Sequence, residues 1–393
     1  MPAKIDHNHN SLLRTERTDE DFAGEYNDFE NVPQKQFTTT TKGRSSGFNP
    51  PNRFDALHQE KTADDIIPDD LERKIPTEFI RDHTKTILSK NDSPDIPYTY
   101  SINPYRGCEH GCIYCYARPS HEYLGYSSGL DFETKILVKY DAAKLLEKTF
   151  LSPKWNPEPI CLSGNTDCYQ PAERTLKITR ELLKVFLKFR NPVRIITKNF
   201  LITRDLDILK PLAELNLVQV IISITTLDNN LAHRMEPRTS IPSQRLAALS
   251  SLAKHNIPVG VLTAPIIPGL NDHELPEILR LSAEAGAKTA GYTLLRLSHA
   301  LKELFKDWLE REYPDKYQKI IHSIQDVRQG KLSNAEYGTR MRGEGEMAEY
   351  IAGVFKAFSK KHGLNKDSMK YRPAPFLRDG TDQISLFDQV MTI

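Results

Sequence analysis

From Tyr98 onward, short runs of β-branched and aliphatic residues alternate with longer stretches in which apolar positions recur every three or four residues. Short apolar runs predict buried strands, and the 3.6-residue period predicts helices laid against them. On this pattern strands fall at 98–102, 159–162, 193–196, 218–224, 258–263 and 289–295, with helices at 172–189, 205–214, 242–255 and 274–284. Strands alternating with helices predict an α/β fold with parallel strands and crossover helices. Six such units favour a partial (β/α)6 TIM-like barrel; a doubly wound sheet would need its strand order to reverse.

Beyond Arg296 the pattern is helical at 300–310, 315–327 and 346–361. The organisation that follows is a core barrel over 93–298, a helical C-terminal extension over 299–378 and a flexible tail over 379–393. Residues 1–92 read as a polar, largely disordered arm, because Pro, Thr, Asn and charges dominate without a sustained period. Within it Asp19, Glu20, Asp21, Glu25, Asp28 and Glu30 form an acidic run, and KGRSSGFNPPNRFDAL at 42–57 mixes basic, turn and aromatic residues in the manner of an ordered strap.

Hydrophobic residues make up 39% of the chain, under the roughly 45–50% of compact domains, which is consistent with an unpacked arm. Lys and Arg number 53 against 52 Asp and Glu, a formal charge of +1. A chain so balanced is not built for non-specific electrostatic binding of nucleic acid. It contains no run approaching the roughly 18 apolar residues of a membrane span, and its polar start lacks a secretory signal. Five cysteines, three of them within eight positions, point to a reducing, cytoplasmic setting and a metal site rather than disulfides.

Those three are Cys108, Cys112 and Cys115 in CEHGCIYC, a C-x3-C-x2-C spacing just after the first predicted strand. One loop can wrap such thiolates around a single centre, with Gly107 and Gly111 letting the backbone curl past. Three thiolates can hold a four-iron cluster that leaves one iron open to a substrate. The alternative is a zinc site completed by His110 or His121.

Polar residues also gather where the predicted strands end, the side on which barrels place their chemistry. The second strand ends in Ser163, Asn165, Thr166 and Asp167, the third in Thr197, Lys198 and Asn199, the fourth in Ser223, Thr225 and Thr226, and the sixth reaches Arg296. Each alone could be a helix N-cap, but together they favour a pocket.

The cysteine spacing, with Tyr114 before the third cysteine, resembles the radical S-adenosylmethionine (SAM) superfamily. Within it, SINPYRGCEHGCIYCYARPSH, SGNTDCYQPAE, IITKN and TLLRLS, between Ser93 and Ala348, are similar to the spore photoproduct lyase-like (DNA repair photolyase-like) branch. The resemblance implies a [4Fe-4S] cluster on Cys108, Cys112 and Cys115, whose open iron is chelated by SAM. It also implies reductive cleavage of SAM to a 5′-deoxyadenosyl radical, and a reductant such as flavodoxin or ferredoxin. By the same resemblance Thr166 and Asp167 address the SAM amino group, Lys198 and Ser223 its carboxylate and ribose. Tyr114 and Tyr116 belong to the SAM pocket and the radical-return route.

One departure concerns the lyase's hydrogen-donating cysteine, whose place is taken here by Gly164. Cys161, more simply a core thiol, and Cys168, just past the Thr-Asp pair, are the candidates to replace it. The implied function is radical SAM chemistry on nucleic acid, as a lyase in DNA repair. The alternatives are radical SAM modification of RNA, a peptide or a small molecule, and a non-catalytic zinc protein associated with DNA or the clamp.

Four other segments carry expectations. HRMEPRTS at 233–240 is expected to be a surface salt-bridge network rather than a lid or anion clamp. APIIPGLND at 264–272 should end its strand with Pro265, Pro268 and Gly269. GEGEMA at 343–348 reads as a Gly-rich turn pressing on the barrel rather than a nucleotide fingerprint. QISLF at 383–387 resembles the peptide that docks on the bacterial sliding clamp, with Gln383, Leu386 and Phe387 as anchors.

Overall fold

The computed structural model of the chain describes residues 43–54, 75–366 and 374–379. The acidic run, part of the strap and QISLF lie outside the described residues. Ten strands follow in chain order: β1 (Glu78–Arg81), β2 (Leu88–Lys90), β3 (Tyr100–Ile102), β4 (Tyr105–Arg106), β5 (Lys135–Val138), β6 (Ile160–Leu162), β7 (Val193–Thr197), β8 (Val218–Ser223), β9 (Val259–Ile266) and β10 (Thr289–Leu294). The main sheet has the order β10-β9-β8-β7-β6-β3-β2. From β3 to β10 every pairing is parallel and every neighbour follows in sequence, so the order never reverses. This is the partial (β/α)6 barrel, with β2 added antiparallel at one edge.

The barrel strands are apolar on both faces, as β6 and β8 illustrate, because helices cover the outside and side chains fill the inside. The helices Ile178–Phe189, Leu206–Glu214, Pro242–Lys254 and Leu275–Glu284 stand close to their expected places. The stretch expected as one helix over 172–189 is two. Lys177 adopts a left-handed conformation (φ 54°), and the Glu173 carboxylate accepts the Thr179 amide at 3.1 Å, starting a new helix.

Two expectations are corrected. The polar segment before residue 92 contains β1, parallel to β5, and β2, antiparallel to β3. Their three or four residues are mostly exposed, so no apolar alternation marked them. The strand expected to stop before Pro265 continues through it to Ile266, with the register against β10 shifting between Tyr292 and Leu294. Proline is tolerated at such an irregularity because a ladder bond is already missing.

The C-terminal helices Leu301–Glu312 and Tyr317–Asp326 build a second apolar cluster beside the barrel. Leu304, Phe305, Trp308 and Ile324 pack there with Cys112, Ile113 and Tyr114, so the extension seats the cysteine loop. Gly343 in GEGEMA has φ 74°, and a Cβ there would lie 2.7 Å from Leu294 Cδ1, so the turn is pressed onto β10. Among the described residues no helix is long and apolar enough to cross a membrane.

Candidate metal centre

The cysteine loop leaves β4 and closes in consecutive turns. Cys108 donates its amide to Phe132 O at 2.9 Å, Gly111 to Cys108 O and Cys115 to Cys112 O, each at 3.2 Å. Gly107 and Gly111 have φ 80° and 64°; a Cβ would come within 2.9 Å of Phe132 O at the first and 2.7 Å of Glu133 Oε2 at the second. Only glycine fits either place. Cys108 and Cys112 are buried, Cys115 is half-buried, and all three thiols are free. Burial pushes the Cys115 thiol up to about 11 and Cys112 well above its ordinary value, with the Cys108 sulfur adding to the cost at both and Cys115 to that at Cys112. Lys198 opposes that shift at Cys112 and Cys115. Thiols costly to ionise alone are ligands that a bound cation makes favourable, releasing protons as it binds.

Two buried ion pairs hold this loop from opposite sides. Arg118, wholly buried, donates to Cys112 O (2.9 Å), Gly111 O (3.2 Å), Ser128 O and Gly129 O, and pairs with Glu133 at 2.5 Å. Ser45 and Ser46, in the described part of the strap, reach Glu133 Oε1, and Ser45 also donates to Gly111 O. On the barrel side the segment expected to be a surface salt-bridge network is only partly at the surface, with Met235, Glu236 and Ser240 buried. Glu236 is buried and pairs with buried Arg245, while only Arg234 of that segment makes an exposed pair, with Glu312. Ile113 donates its amide to Met235 O at 3.0 Å, and Arg238 its amide to His110 O at 3.4 Å. None of Ser45, Arg118, Glu133, Glu236 or Arg245 was anticipated as a site residue; a charge in a polar stretch carries no mark of the partner it will meet far along the chain.

The strand-end residues converge on the same loop. Asp167 accepts Thr197 Oγ1 (2.7 Å), the Lys198 amide (2.8 Å) and the Tyr169 amide (2.8 Å), and lies 3.3 Å from His110 Nδ1. Burial alone would raise its carboxyl, but His110 and these donors hold it below the usual range. Burial likewise works to lower His110, yet Asp167 and the Cys108 sulfur lift it to about 9. Thr166 donates to Gly107 O at 2.7 Å. Lys198 Nζ donates to Ser223 Oγ at 2.6 Å, stands 3.5 Å from Glu236 and lies 5.6 Å from the centre of the Tyr114 ring. Burial lowers Lys198 to about 8.

Tyr114 donates to Glu236, whereas Tyr116, 55% exposed, donates to Gly164 O. The one phenol faces the barrel interior; the other spans from the cysteine loop to the end of β6. Cys161 and Cys168 are both fully buried. Cys161 neighbours Tyr98, and Cys168 lies in the main core with Tyr105 and Tyr169.

Of the two histidines weighed as a fourth zinc ligand, His110 is engaged by Asp167 and Asn199. The His121 ring packs with Tyr126 and Phe132, and neither of its buried nitrogens makes a hydrogen bond. Among the described residues no three His, Cys, Asp or Glu side chains close on a point as one ion requires. A cubane needs its thiolates farther apart, and three thiols with no fourth protein donor suit a cluster with one open iron.

A family model described as the radical SAM superfamily matches residues 102–282. An uncharacterized protein of Mycobacterium tuberculosis is 34% identical over 234 residues, covering 59% of this chain and 69% of that protein. An uncharacterized protein of Methanocaldococcus jannaschii is 30% identical over 243 residues, covering 62% of this chain and 86% of its own. The chain belongs to the radical SAM superfamily. Members of this superfamily bind a [4Fe-4S] cluster and SAM and need a reductant; here Cys108, Cys112 and Cys115 are the thiols fit to hold the cluster. Among solved structures, spore photoproduct lyase complexed with dinucleoside spore photoproduct matches with a TM-score of 0.51 at 17% identity, over 73% of this chain and 80% of that one. A variant of the same lyase with SAM and dinucleoside spore photoproduct bound matches with a TM-score of 0.50 at 18% identity, over 74% and 86%. At such identities the likeness is one of fold.

Proposed function

We propose that this radical SAM enzyme acts on nucleic acid, in the manner of a lyase that reverses a DNA lesion. The observation that carries the reading is the fold shared with a lyase solved with a dinucleoside photoproduct. Held by Cys108, Cys112 and Cys115 and charged by an external reductant, a [4Fe-4S] cluster would supply the electron for reductive cleavage of SAM and so the radical chemistry on the substrate.

Around it the chain's own residues take defined parts. Lys198 and Ser223 address the carboxylate and ribose of SAM, and Thr166 and Asp167 stand toward its amino group. Asp167 is already saturated by Thr197, Lys198 and His110, so its contribution is chiefly the negative field it sets there. Tyr114 closes the pocket wall. Tyr116, exposed and hydrogen-bonded to Gly164, is the phenol proposed to pass hydrogen back, with Cys168 as the proposed thiol; of the two candidate thiols, Cys161 is the one whose charge bears on Tyr116.

The test is anaerobic reconstitution followed by dithionite-driven SAM cleavage with and without irradiated DNA. Cleavage stimulated by DNA, with loss of the lesion, supports the reading, and Cys112→Ala should abolish cleavage. Undiminished cleavage in that variant removes the cluster assignment. With the chemistry intact, Cys168→Ala should lose lesion reversal while keeping SAM cleavage; if Cys161→Ala does so instead, the return route runs through the other thiol.

A second reading keeps the chemistry and moves the substrate to RNA, a peptide or a small molecule. Gly164 in place of a donor cysteine and the net charge of +1 favour it. Deoxyadenosine formation indifferent to irradiated DNA would select it. The clamp-docking proposal for Gln383, Leu386 and Phe387 is independent of both, and deleting 383–387 should remove binding to the sliding clamp.

A further inference from the structure

HRMEPRTS sits against the cysteine loop and has no part in the chemistry assigned above. It begins in the last turn of the helix Asn229–Met235 and is held there by Trp308 Nε1, which donates to Arg234 O at 3.1 Å. Its inner side is joined to the loop by main-chain bonds, Ile113 N–H to Met235 O and Arg238 N–H to His110 O. The Arg238 side chain adds an ion pair with Glu109 at 3.1 Å. Segment 235–238 is thus a strip laid along residues 109–113 of the cysteine loop.

At its centre stands Glu236, with both carboxylate oxygens engaged. Oε1 accepts Tyr114 Oη and Thr225 Oγ1 (2.7 Å) and lies 3.5 Å from Lys198 Nζ; Oε2 accepts Arg245. The Glu236 and Arg245 side chains are fully buried. Tyr114 is one of the two residues between Cys112 and Cys115, so the carboxylate is one hydrogen bond from the loop itself. Its charge also bears directly on the Cys112 sulfur. A buried negative charge is only weakly screened, and hydrogen bonds and local charge are levers that set the potential of an iron–sulfur centre.

We propose that Glu236 is the charge-setting and positioning residue of this centre: it fixes Tyr114 and Lys198 and holds down the cluster's reduction potential. The inference rests on the radical SAM reading of Cys108, Cys112 and Cys115. Reduction adds an electron to an already anionic thiolate centre, and a neighbouring carboxylate opposes that addition. The two cations beside Glu236, Arg245 and Lys198, would favour it if left alone.

The experiment is an EPR-monitored redox titration of the full chain after anaerobic reconstitution, on the wild type, Glu236→Gln, Tyr114→Phe and the control Glu284→Gln, an exposed carboxylate. Glu236→Gln keeps the side chain's shape and removes the charge, so its midpoint potential should rise at unchanged iron content. Tyr114→Phe removes the phenol that partly neutralises the carboxylate, so its midpoint should fall. Glu284→Gln should match the wild type. A Glu236→Gln midpoint equal to that of Glu284→Gln overturns the inference. If Glu236→Gln loses iron, the midpoint of Tyr114→Phe decides, and an unmoved value overturns it equally. A wild type that holds no four-iron cluster overturns the radical SAM reading and this inference together, whereas a normal cluster with unmoved potentials overturns the inference alone.

Discussion

The cysteine loop is held by two buried ion pairs, Arg118–Glu133 on the strap side and Arg245–Glu236 on the barrel side, with all four side chains out of solvent. They are built differently. Arg118 spends its donors mainly on main-chain carbonyls of the loop and its flank, and Glu133 uses one oxygen while the other has no hydrogen-bond partner. Glu236 uses both oxygens, on a phenol, a hydroxyl and two cations that border the thiols. The first pair fixes where the backbone goes. The second fixes the side chains that meet the chemistry, which is why a neutral replacement on that side should change a potential rather than only a stability.

The largest effect that tests this contrast is a broken pair. Arg118→Met leaves Glu133 buried with no cation, whereas Arg245→Met leaves Glu236 with Lys198 at 3.5 Å. The first should cost about 3–5 kcal/mol in urea unfolding of the cluster-free protein, because an uncompensated buried charge is costly, and the second should cost less. Replacing both partners by apolar residues should recover most of the loss on either side. Only on the barrel side should the recovered double variant, Arg245→Met with Glu236→Leu, carry an altered cluster potential. A loss below about 1 kcal/mol in either single variant would mean that water reaches that pair.

Neither pair was visible in the sequence: the partners are only 15 and 9 positions apart, but the contacts that join them to the strap and the cysteine loop come from far along the chain. Ser45 meets Glu133 across 88 positions, and Glu236 lies 122 positions from Tyr114. In HRMEPRTS the alternation of charge with proline looks solvated, and only the fold turns Glu236 inward. What was legible is what local pattern controls. The six barrel strands are apolar runs, and the three clustered cysteines stand out by their spacing. Thr166, Asp167, Lys198 and Ser223 do stand at or just past the carboxyl ends of their strands, the side on which barrels place chemistry. Strands β1 and β2 were missed because three or four mostly exposed residues leave no period. The break at Lys177 was missed because it depends on a carboxylate, Glu173, folding back to cap Thr179.

A smaller effect separates backbone strain from contact on the strap side. Gly111 and Gly125 both have positive φ, 64° and 75°. A Cβ at Gly111 meets Glu133 Oε2 at 2.7 Å, whereas at Gly125 it meets nothing within 4 Å. Gly125→Ala should therefore cost only the left-handed penalty, roughly 1–2 kcal/mol. Gly111→Ala should exceed it by about 1–3 kcal/mol, the usual range for overpacking, and should reduce iron retention. Both are read from urea midpoints at constant slope. Equal losses would mean that Glu133 moves aside freely, and the strap-side pair would then not be the rigid element described.

The smallest effect concerns a buried charge with no partner. Lys139 is buried at the end of β5 and has no carboxylate within 4 Å among the described residues; Asp82 faces it but is paired with Arg106. Burial lowers its ammonium to about 8, with Arg106 adding and Asp82 opposing. The folded value thus lies below the unfolded value of about 10.4. Below pH 8 the lysine is charged in both states and the folded state bears the full cost of burying it. Between about 8 and 10.4 the unfolded chain binds the extra proton, so stability rises with pH and the cost is gone above that window. Lys139→Met should therefore be more stable than the wild type at pH 7, and the advantage should shrink to nothing by about pH 10.5. The curves come from urea unfolding at a series of pH values. An advantage that does not change with pH would assign the gain to packing by methionine. With the expected pH dependence, three of the buried cations fall in order: Arg118 and Arg245 stabilise because each is paired, and Lys139 destabilises because it is not.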